Sequence, residues 1–395
     1  MNTRIAVIGA GPGGLTCAAV LRRHGVEVTV HDLDASAGAR DQGGTLDMHA
    51  DTGQIALREA GLIDGFFALA RSEGQSKRML SRHGEVLGEH LPQEGEDAAP
   101  EIDRGQLRAL LAGSLEPGTV RWGHRLTGVT PGGDGTHLLT FADGTRTVAD
   151  LVVGADGAWS RVRPLVSGAS PVYTGVTFVE ACYDNVDLAH PVVAELVGDG
   201  HMFATGDGKG LIAQRNSGQH VRAYIAMRTG EDWHRAAGID PGDTAAVREA
   251  LLKAFAGWDE RLLTLITGND GPYVSRPLYE LPTPHTWPHT PGVTLLGDAA
   301  HLMSPFGGLG ANLAMLDGSD LALAVARHDT VDEAITAYEE VMLPRAIEAT
   351  GQVSGVLDRV FGPGDRGAGD APDFEREGRE YKRRAAEHLQ RSQAR

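Results

Sequence analysis

The chain has 395 residues, 41% of them hydrophobic, enough for roughly two or three domains of about 150 residues with sizeable cores. A formal net charge of −17, with 36 basic residues that form no long basic run, weighs against nucleic acid or an anionic membrane surface as a partner. Two cysteines, Cys17 and Cys182, are too few for a disulfide framework and fit a reducing compartment. The opening Met1–Arg4 leads at once into an apolar run too short for a signal segment, and no stretch approaches the roughly eighteen consecutive apolar residues of a membrane span. The expectation is a cytoplasmic monomer without a membrane partner.

Ile5–Ile8 is a short continuous apolar run, as in a buried parallel strand. A glycine turn follows, then helix-forming residues from Leu15 to Arg23, a stop at Gly25, and a second strand over Val26–Val30. Together these make a βαβ unit. Glu101–Leu115 reads as a helix with Leu107, Leu110, Leu111 and Leu115 on one side, and Asp150–Gly154 as another buried strand. From Pro171 the pattern changes. Val172–Tyr183, Gly210–Gln214 and His220–Met227 are β-rich and separated by turn residues, which predicts an antiparallel sheet covered by a helix over Thr244–Ala256. Gly292–Leu296 returns to the buried-strand pattern, and helices are expected over Gly310–Ala326 and Val331–Val360. The rest is Gly-, Pro- and charge-rich to Pro372, then strongly charged with weak helical character, and is expected to pack loosely. The fold class is α/β: a discontinuous Rossmann-like dinucleotide domain (1–72, 100–170 and 275–328), a second domain on the antiparallel sheet (73–99 and 171–274), a bridging helix (329–361) and a charged tail (362–395).

Three glycine-bearing segments carry the chemistry. The first, Gly9-Ala10-Gly11-Pro12-Gly13-Gly14, lies between a strand and a helix. Gly9 permits the tight turn, Gly11 lets the backbone approach a pyrophosphate, and Gly14 lets the helix pack closely. The helix N-terminus offers free N–H groups to phosphate. Asp32, ending the second strand, is placed for a ribose hydroxyl pair and disfavours a 2′-phosphate, which leaves FAD or NAD. The third segment, Gly297–His301 running into Pro305–Gly310, decides for FAD. Asp298 stands at a strand's carboxyl end, where it can bind a ribityl hydroxyl. The small residues up to Gly310 open a helix whose positive end suits reduced flavin. The second segment, Gly154-Ala155-Asp156-Gly157, lies between them. His301 and Asp298 have no third ligand at a recognisable spacing, so no metal site is expected. No Gly-x-Ser-x-Gly elbow is present. Cys17, Trp233, Trp258 and Trp287 read as packing or pocket wall.

With these motifs the chain resembles the class A flavoprotein monooxygenases of the para-hydroxybenzoate-hydroxylase type, and within them it looks most like the tetracycline-inactivating enzymes. The matching stretches are Gly43–His49, Glu101–Arg104 with Leu107 and Arg108, Asp156–Gly157 with Ser160–Arg163, and Gly297–Asp317. The resemblance implies that Asp298 and Arg104 bind FAD and that Asp47 lies near the flavin ring. Arg40 serves the nicotinamide cofactor or the flavin, and Asp156 and Gly157 form a motif shared by FAD and NADPH. Pro305 and Gly308 lie against the isoalloxazine where oxygen reacts. The tetracycline enzymes hold the drug's polar edge with a glutamine and an arginine; Glu180 and His201 stand at the matching positions here. An acceptor-only carboxylate replaces an amide, and a histidine replaces a bidentate cation. The expected substrate is therefore a related fused-ring phenol or polyketide rather than tetracycline.

The implied reaction delivers hydride from NADPH or NADH, acting as a transient co-substrate, to FAD. Dioxygen then gives a flavin C4a-hydroperoxide, which hydroxylates the aromatic substrate in a site that excludes water. No side-chain nucleophile is required. Two other readings stay open at this point: an FAD-dependent oxidase or dehydrogenase, and a non-catalytic flavin- or drug-binding protein.

Overall fold

The computed structural model describes residues 3–133, 135–362, 364 and 373–393. A five-stranded parallel sheet has the order Val293–Leu295, Leu151–Gly154, Ile5–Ile8, Thr29–His31 and Val120–Arg121. Its central strands are buried on both faces, which is why they read as unbroken apolar runs. The helix Pro12–Arg23 follows the first strand, with Gly11 as its extended N-cap and Pro12 in the first turn. It lies against the helix Leu309–Arg327 at backbone contact: a Cβ on Gly13 would sit 2.6 Å from the Ala314 carbonyl oxygen, and one on Gly318 2.3 Å from that of Gly13. By length and composition Leu309–Arg327 would pass for a membrane span, but 56% of it is buried inside the fold.

The second layer is a seven-stranded sheet in the order Val274–Glu280, Val172–Tyr183, His220–Arg228, Lys209–Asn216, His201–Gly206, Lys77–Leu80 and Val86–His90. Its pairs are antiparallel except the join of His201–Gly206 to Lys77–Leu80, which is parallel. The sheet takes in Val274–Glu280, which lies across the boundary at 274 expected from the sequence. One face packs on the helices Thr244–Ala254 and Glu260–Thr267 around Tyr183, Phe255 and Trp258. The other face looks toward the parallel layer. A two-stranded antiparallel pair, Thr45–Asp47 with Glu101–Asp103, stands between the two layers.

Three expectations are corrected. Glu101–Leu115 is not one helix: Glu101–Asp103 pairs as a strand, and the helix runs Arg104–Gly113. The helix expected over Val331–Val360 ends at Val353. Extended Ser354 and left-handed Gly355 (φ 72°) break it before Val356–Val360. The charged tail is a 20-residue helix, Phe374–Gln393, and it docks. Tyr381 stacks on His49 with ring centroids 4.2 Å apart, Arg384 reaches Asp51 at 3.1 Å, and Lys382 reaches Asp97 at 2.8 Å. Most of the Gly- and Pro-rich connection expected up to Pro372 lies outside the described residues.

Candidate cofactor groove and substrate cavity

The carboxyl ends of Ile5–Ile8, Leu151–Gly154 and Val293–Leu295 deliver the three glycine segments to one edge of the parallel sheet. Gly9 takes φ 110°, and a Cβ there would strike the Ala155 carbonyl oxygen at 2.2 Å, so the first and second segments touch. A Cβ on Gly14 would lie 2.1 Å from the Gly9 carbonyl oxygen, whereas one on Gly11 meets nothing within 4 Å. The turn is thus packed tight on the protein side and open at Gly11. No side chain caps the helix there, so its first N–H groups are left for a ligand.

Asp32 is buried, accepting from Ala10 N–H at 2.5 Å and Asp34 N–H at 2.8 Å. Arg108, also buried, donates through Nε to the Ala10 carbonyl (2.9 Å) and through Nη1 to Asp34 (2.9 Å), and lies 3.4 Å from Asp32. Asp32 therefore helps lock the glycine turn. Asp298 opens a short helix after Gly297. Its carboxylate is exposed and takes no hydrogen bond from the described residues, and it lies 3.9 Å from where a Gly310 Cβ would stand. Arg104, at the head of its helix, is exposed and makes no ion pair with the described residues. A free carboxylate, a free guanidinium and two uncapped helix N-termini along one groove form a donor and acceptor set that fits FAD, with its diphosphate, ribityl hydroxyls and ring.

A cavity of ≈ 1880 Å³ lies between the inner face of the seven-stranded sheet and the Pro305–Leu309 loop, with Arg104 in its lining. Phe178, Phe203, Ile212, Tyr224, Phe306 and Leu313 supply apolar wall. The tail helix closes one side with Phe374, Tyr381 and Arg384. Asp47 reaches under Gly308 (φ 65°): a Cβ there would lie 2.4 Å from Asp47 Oδ1. Burial alone would raise the Asp47 carboxyl, but His49 at 3.2 Å, with Lys77 and His201, holds it well below the usual carboxylate range.

The structure brings Asp47, Arg40, Arg104, Glu180, His201, Pro305 and Gly308 to this one cavity. Arg40 is spent partly on Asp34 at 3.0 Å. Glu180 is buried with both oxygens committed, one to Arg222 and the other to Arg276 at 3.4 Å, and Arg222 also pairs with Asp41. His201 begins a strand, His201–Gly206. Asp156 turns away, accepting from Ser160 Oγ at 2.5 Å and Arg161 N–H at 2.7 Å, and burial raises its carboxyl despite those bonds. Sequence reasoning gave no role to Arg108, Arg163, Gln214 or Tyr224. Arg163 donates to the Ala299, Ala158 and Asp298 carbonyls at 2.8, 2.8 and 3.0 Å and so joins the second and third segments. Its one signal was its place in the stretch that follows Asp156-Gly157.

A parallel sheet with an uncapped glycine turn, facing a second sheet across a large cavity, has the architecture of a dinucleotide-binding protein with room for a second ligand. The sequence matches the FAD binding domain family over residues 2–262 and 285–352, and the chain belongs to that family, the class A flavin monooxygenases. It is 33% identical to "Monooxygenase penA" of Penicillium thymicola over 405 residues, covering 88% of this chain and 92% of the relative. The fold is shared with Klebsiella pneumoniae HpxO solved with FAD and uric acid (TM-score 0.77, 20% identity, 97% and 93% of the two chains). It is also shared with the tetracycline destructase Tet(55) (TM-score 0.74, 20% identity, 98% and 97%). The protein is an FAD monooxygenase, an oxidoreductase.

Proposed function

We propose that this monooxygenase uses NADPH or NADH and dioxygen to hydroxylate a polycyclic aromatic or polyketide-like small molecule. The observation that carries the reading is the cavity. Its ≈ 1880 Å³ exceeds the 300–1,000 Å³ usual for a drug-sized ligand, which leaves room for a flavin ring and a fused-ring substrate together. The relatives point the same way in kind: HpxO holds uric acid, a planar fused-ring compound, and Tet(55) is named for tetracycline.

FAD, when bound, supplies hydride acceptance and the activation of dioxygen. The chain's own residues do the rest. The Gly11 turn and the helix behind it bind the diphosphate, Asp298 the ribityl chain, and Arg104 an anionic edge of the cofactor. Pro305–Gly308 presents small backbone to one side of the ring, with the N-terminus of Leu309–Arg327 behind it favouring negative charge. Phe178, Phe203 and Tyr224 orient a planar substrate and exclude water. Arg40, exposed at the rim, serves the visiting nicotinamide cofactor. The Glu180–Arg222–Asp41 chain fixes the 40s loop against the sheet.

The test is product mass under ¹⁸O₂ with NADPH consumption, across a panel of polycyclic phenols. One labelled oxygen atom per product is expected. NADPH-dependent peroxide with unlabelled product would favour an oxidase, and absence of substrate-stimulated flavin reduction would favour a binding protein.

A further inference from the structure

The cavity wall changes character from one end to the other. On the inner face of the seven-stranded sheet, register sets Lys77, His201 and Gln214 in one row. The next row, two residues on and about 7 Å away, holds Met79, Phe203, Ile212 and Tyr224 and ends at Glu180. The row after it holds Thr205, Gly210, Ala226 and Phe178 and ends at Arg276. The face therefore runs from polar to apolar along the strands, with charge kept to its Val274–Glu280 edge. The apolar end is finished by the short helix Val356–Val360, which follows the break at Ser354 and Gly355. Phe361 behind it is 1% exposed and meets the third row: a Cβ on Gly210 would stand 3.1 Å from its ring.

Two apolar clusters reach the cavity at this end. Leu278, Phe306 and Val360 pack on one, built around Phe178, Ile212, Leu357 and Phe361. Leu309 and Val356 pack on the other, built around Met303, Leu313, Ala349 and Val353. These five packing side chains are only partly buried, and all five line the cavity. They leave an apolar cleft between the clusters. Phe306 belongs to the cleft and to the flavin loop at once. Its ring centroid is 5.6 Å from that of Phe361 and 6.2 Å from that of Phe178, and two residues on Gly308 meets Asp47. The charges at this end are turned elsewhere: Arg345 is spent on Asp317 and Asp320, Arg276 is 58% exposed, and Glu348 and Arg359 are exposed. Apolar surface left open beside a reaction site is costly to wet and gains from an apolar occupant.

We propose that this cleft is a subsite for an apolar chain, alkyl or isoprenoid, carried by the aromatic substrate. The proposal rests on the monooxygenase reading and adds to it what the substrate's ring must bear. The ring lies at the Pro305–Gly308 loop with its polar edge toward Lys77, His201 and Gln214, and the chain runs from it toward Val356–Val360. One molecule with both parts satisfies both ends of the cavity, whereas a compact fused ring alone leaves the cleft to water. Each methylene buried there strengthens binding by about fourfold. The anchored chain also limits how the ring can turn, and so helps to choose the carbon that is oxygenated.

The test is a binding series on the oxidised, FAD-loaded protein without nicotinamide cofactor, read by perturbation of the flavin absorbance. The probes are 4-alkylresorcinols from methyl to nonyl, with oligo(ethylene glycol) ethers of equal length as polar controls. Affinity is expected to rise about two- to fourfold per methylene until the cleft is full and then to level off, with no gain along the ethers. V360W is expected to move the plateau to a shorter chain and to leave the methyl and ethyl members unchanged. V356F should do the same from the opposite cluster, and it carries the comparison if V360W fails to fold, as flavin content and melting of each variant will tell. Affinity that ignores chain length overturns the proposal, because it means a cleft already filled by the protein or the flavin. A rise to nonyl without a plateau that both variants leave unchanged also overturns it, because partition onto any apolar surface gives that pattern. Failure of every member to bind overturns it as well. Product mass under ¹⁸O₂ reads the oxygen chemistry separately. Labelled product with no chain-length effect on binding removes this proposal alone, and the chain-length effect without labelled product removes the monooxygenase reading alone.

Discussion

Glycines of one motif do different work in the structure, and that separates two substitutions which look alike in the sequence. At Gly11 there is room for a side chain in the protein by itself, so Gly11→Val is expected to fold and to lose flavin, because the added methyls occupy the phosphate's approach. Purified Gly11→Val with native melting behaviour and at least tenfold lower FAD occupancy is the expected result; full yellow colour would remove the turn from the diphosphate site. Gly14→Ala is expected to fail the other way. Its Cβ would meet the Gly9 carbonyl oxygen at 2.1 Å, so the cost appears in stability, about 1–3 kcal/mol or more, before any effect on flavin. Asp298→Ala removes a carboxylate that takes no hydrogen bond from the described residues, so it should cost little stability and weaken FAD retention, read by gel filtration of the holoprotein. A second residue-scale effect depends on pH. His301 is buried 2.5 Å from Asp317, which also pairs with Arg345 at 2.9 Å. Burial alone would lower the histidine, but Asp317 outweighs it and raises its pKa above the ordinary 6.5. A raised folded pKa means stability present in full below 6.5 and lost as pH rises through the folded value. His301→Gln should therefore flatten the fall in melting temperature between about pH 6 and pH 9. A wild-type fall no steeper than the variant's would show that the pair does not titrate there.

Among the elements, the tail helix departs most from what its composition suggests. Phe374–Gln393 is dominated by Glu, Lys and Arg, and pattern reading finds no apolar stripe wide enough to bury. It docks through a few contacts instead: Phe374 under Lys77 Nζ at 5.0 Å, Tyr381 on His49, and Arg384 on the buried side chain of Asp51. Such contacts depend on partners three hundred residues away, which no local window reveals. The same limit explains the strand Glu101–Asp103, whose pairing partner Thr45–Asp47 lies more than fifty residues earlier. By contrast Val172–Tyr183 was legible to the residue, because a long β-branched run between turn residues has few competing structures. The site was legible where backbone does the work, at the three glycine segments. It was not legible where buried side chains tie segments together, as Arg108 and Arg163 do, because an arginine in sequence carries no sign of its burial. Removing residues 373–395 is expected to leave the two sheets folded and to open the cavity on one side. With a hydroxylatable phenol, the fraction of NADPH ending as hydrogen peroxide should rise several-fold, read by peroxide assay against product. An unchanged ratio would mean that the helix does not help to exclude water.

At the scale of the whole molecule, the net charge of −17 opposes the nicotinamide co-substrate proposed above, itself a polyanion. NADPH approaching from a distance meets that repulsion, while close to the groove it meets Arg40 and Arg104, both exposed and both on the cavity side. The two fields act over different ranges. The repulsion from the full surface is felt across tens of ångströms at low salt and is screened once the Debye length falls to about 8–10 Å. The arginines act within a few ångströms of the phosphates, where screening is weaker. Raising ionic strength from about 10 mM to about 150 mM should therefore remove more repulsion than attraction. Flavin reduction at subsaturating NADPH, followed as bleaching in stopped flow, is expected to speed up about two- to fivefold over that range, and the rate at saturating NADPH should change little. NADH, which lacks the 2′-phosphate, should show a shallower slope. A rate that falls with salt would mean that the local arginine field governs encounter. In that case Arg40→Gln would abolish the slope, and the acidic surface would have no part in how this protein selects its reductant.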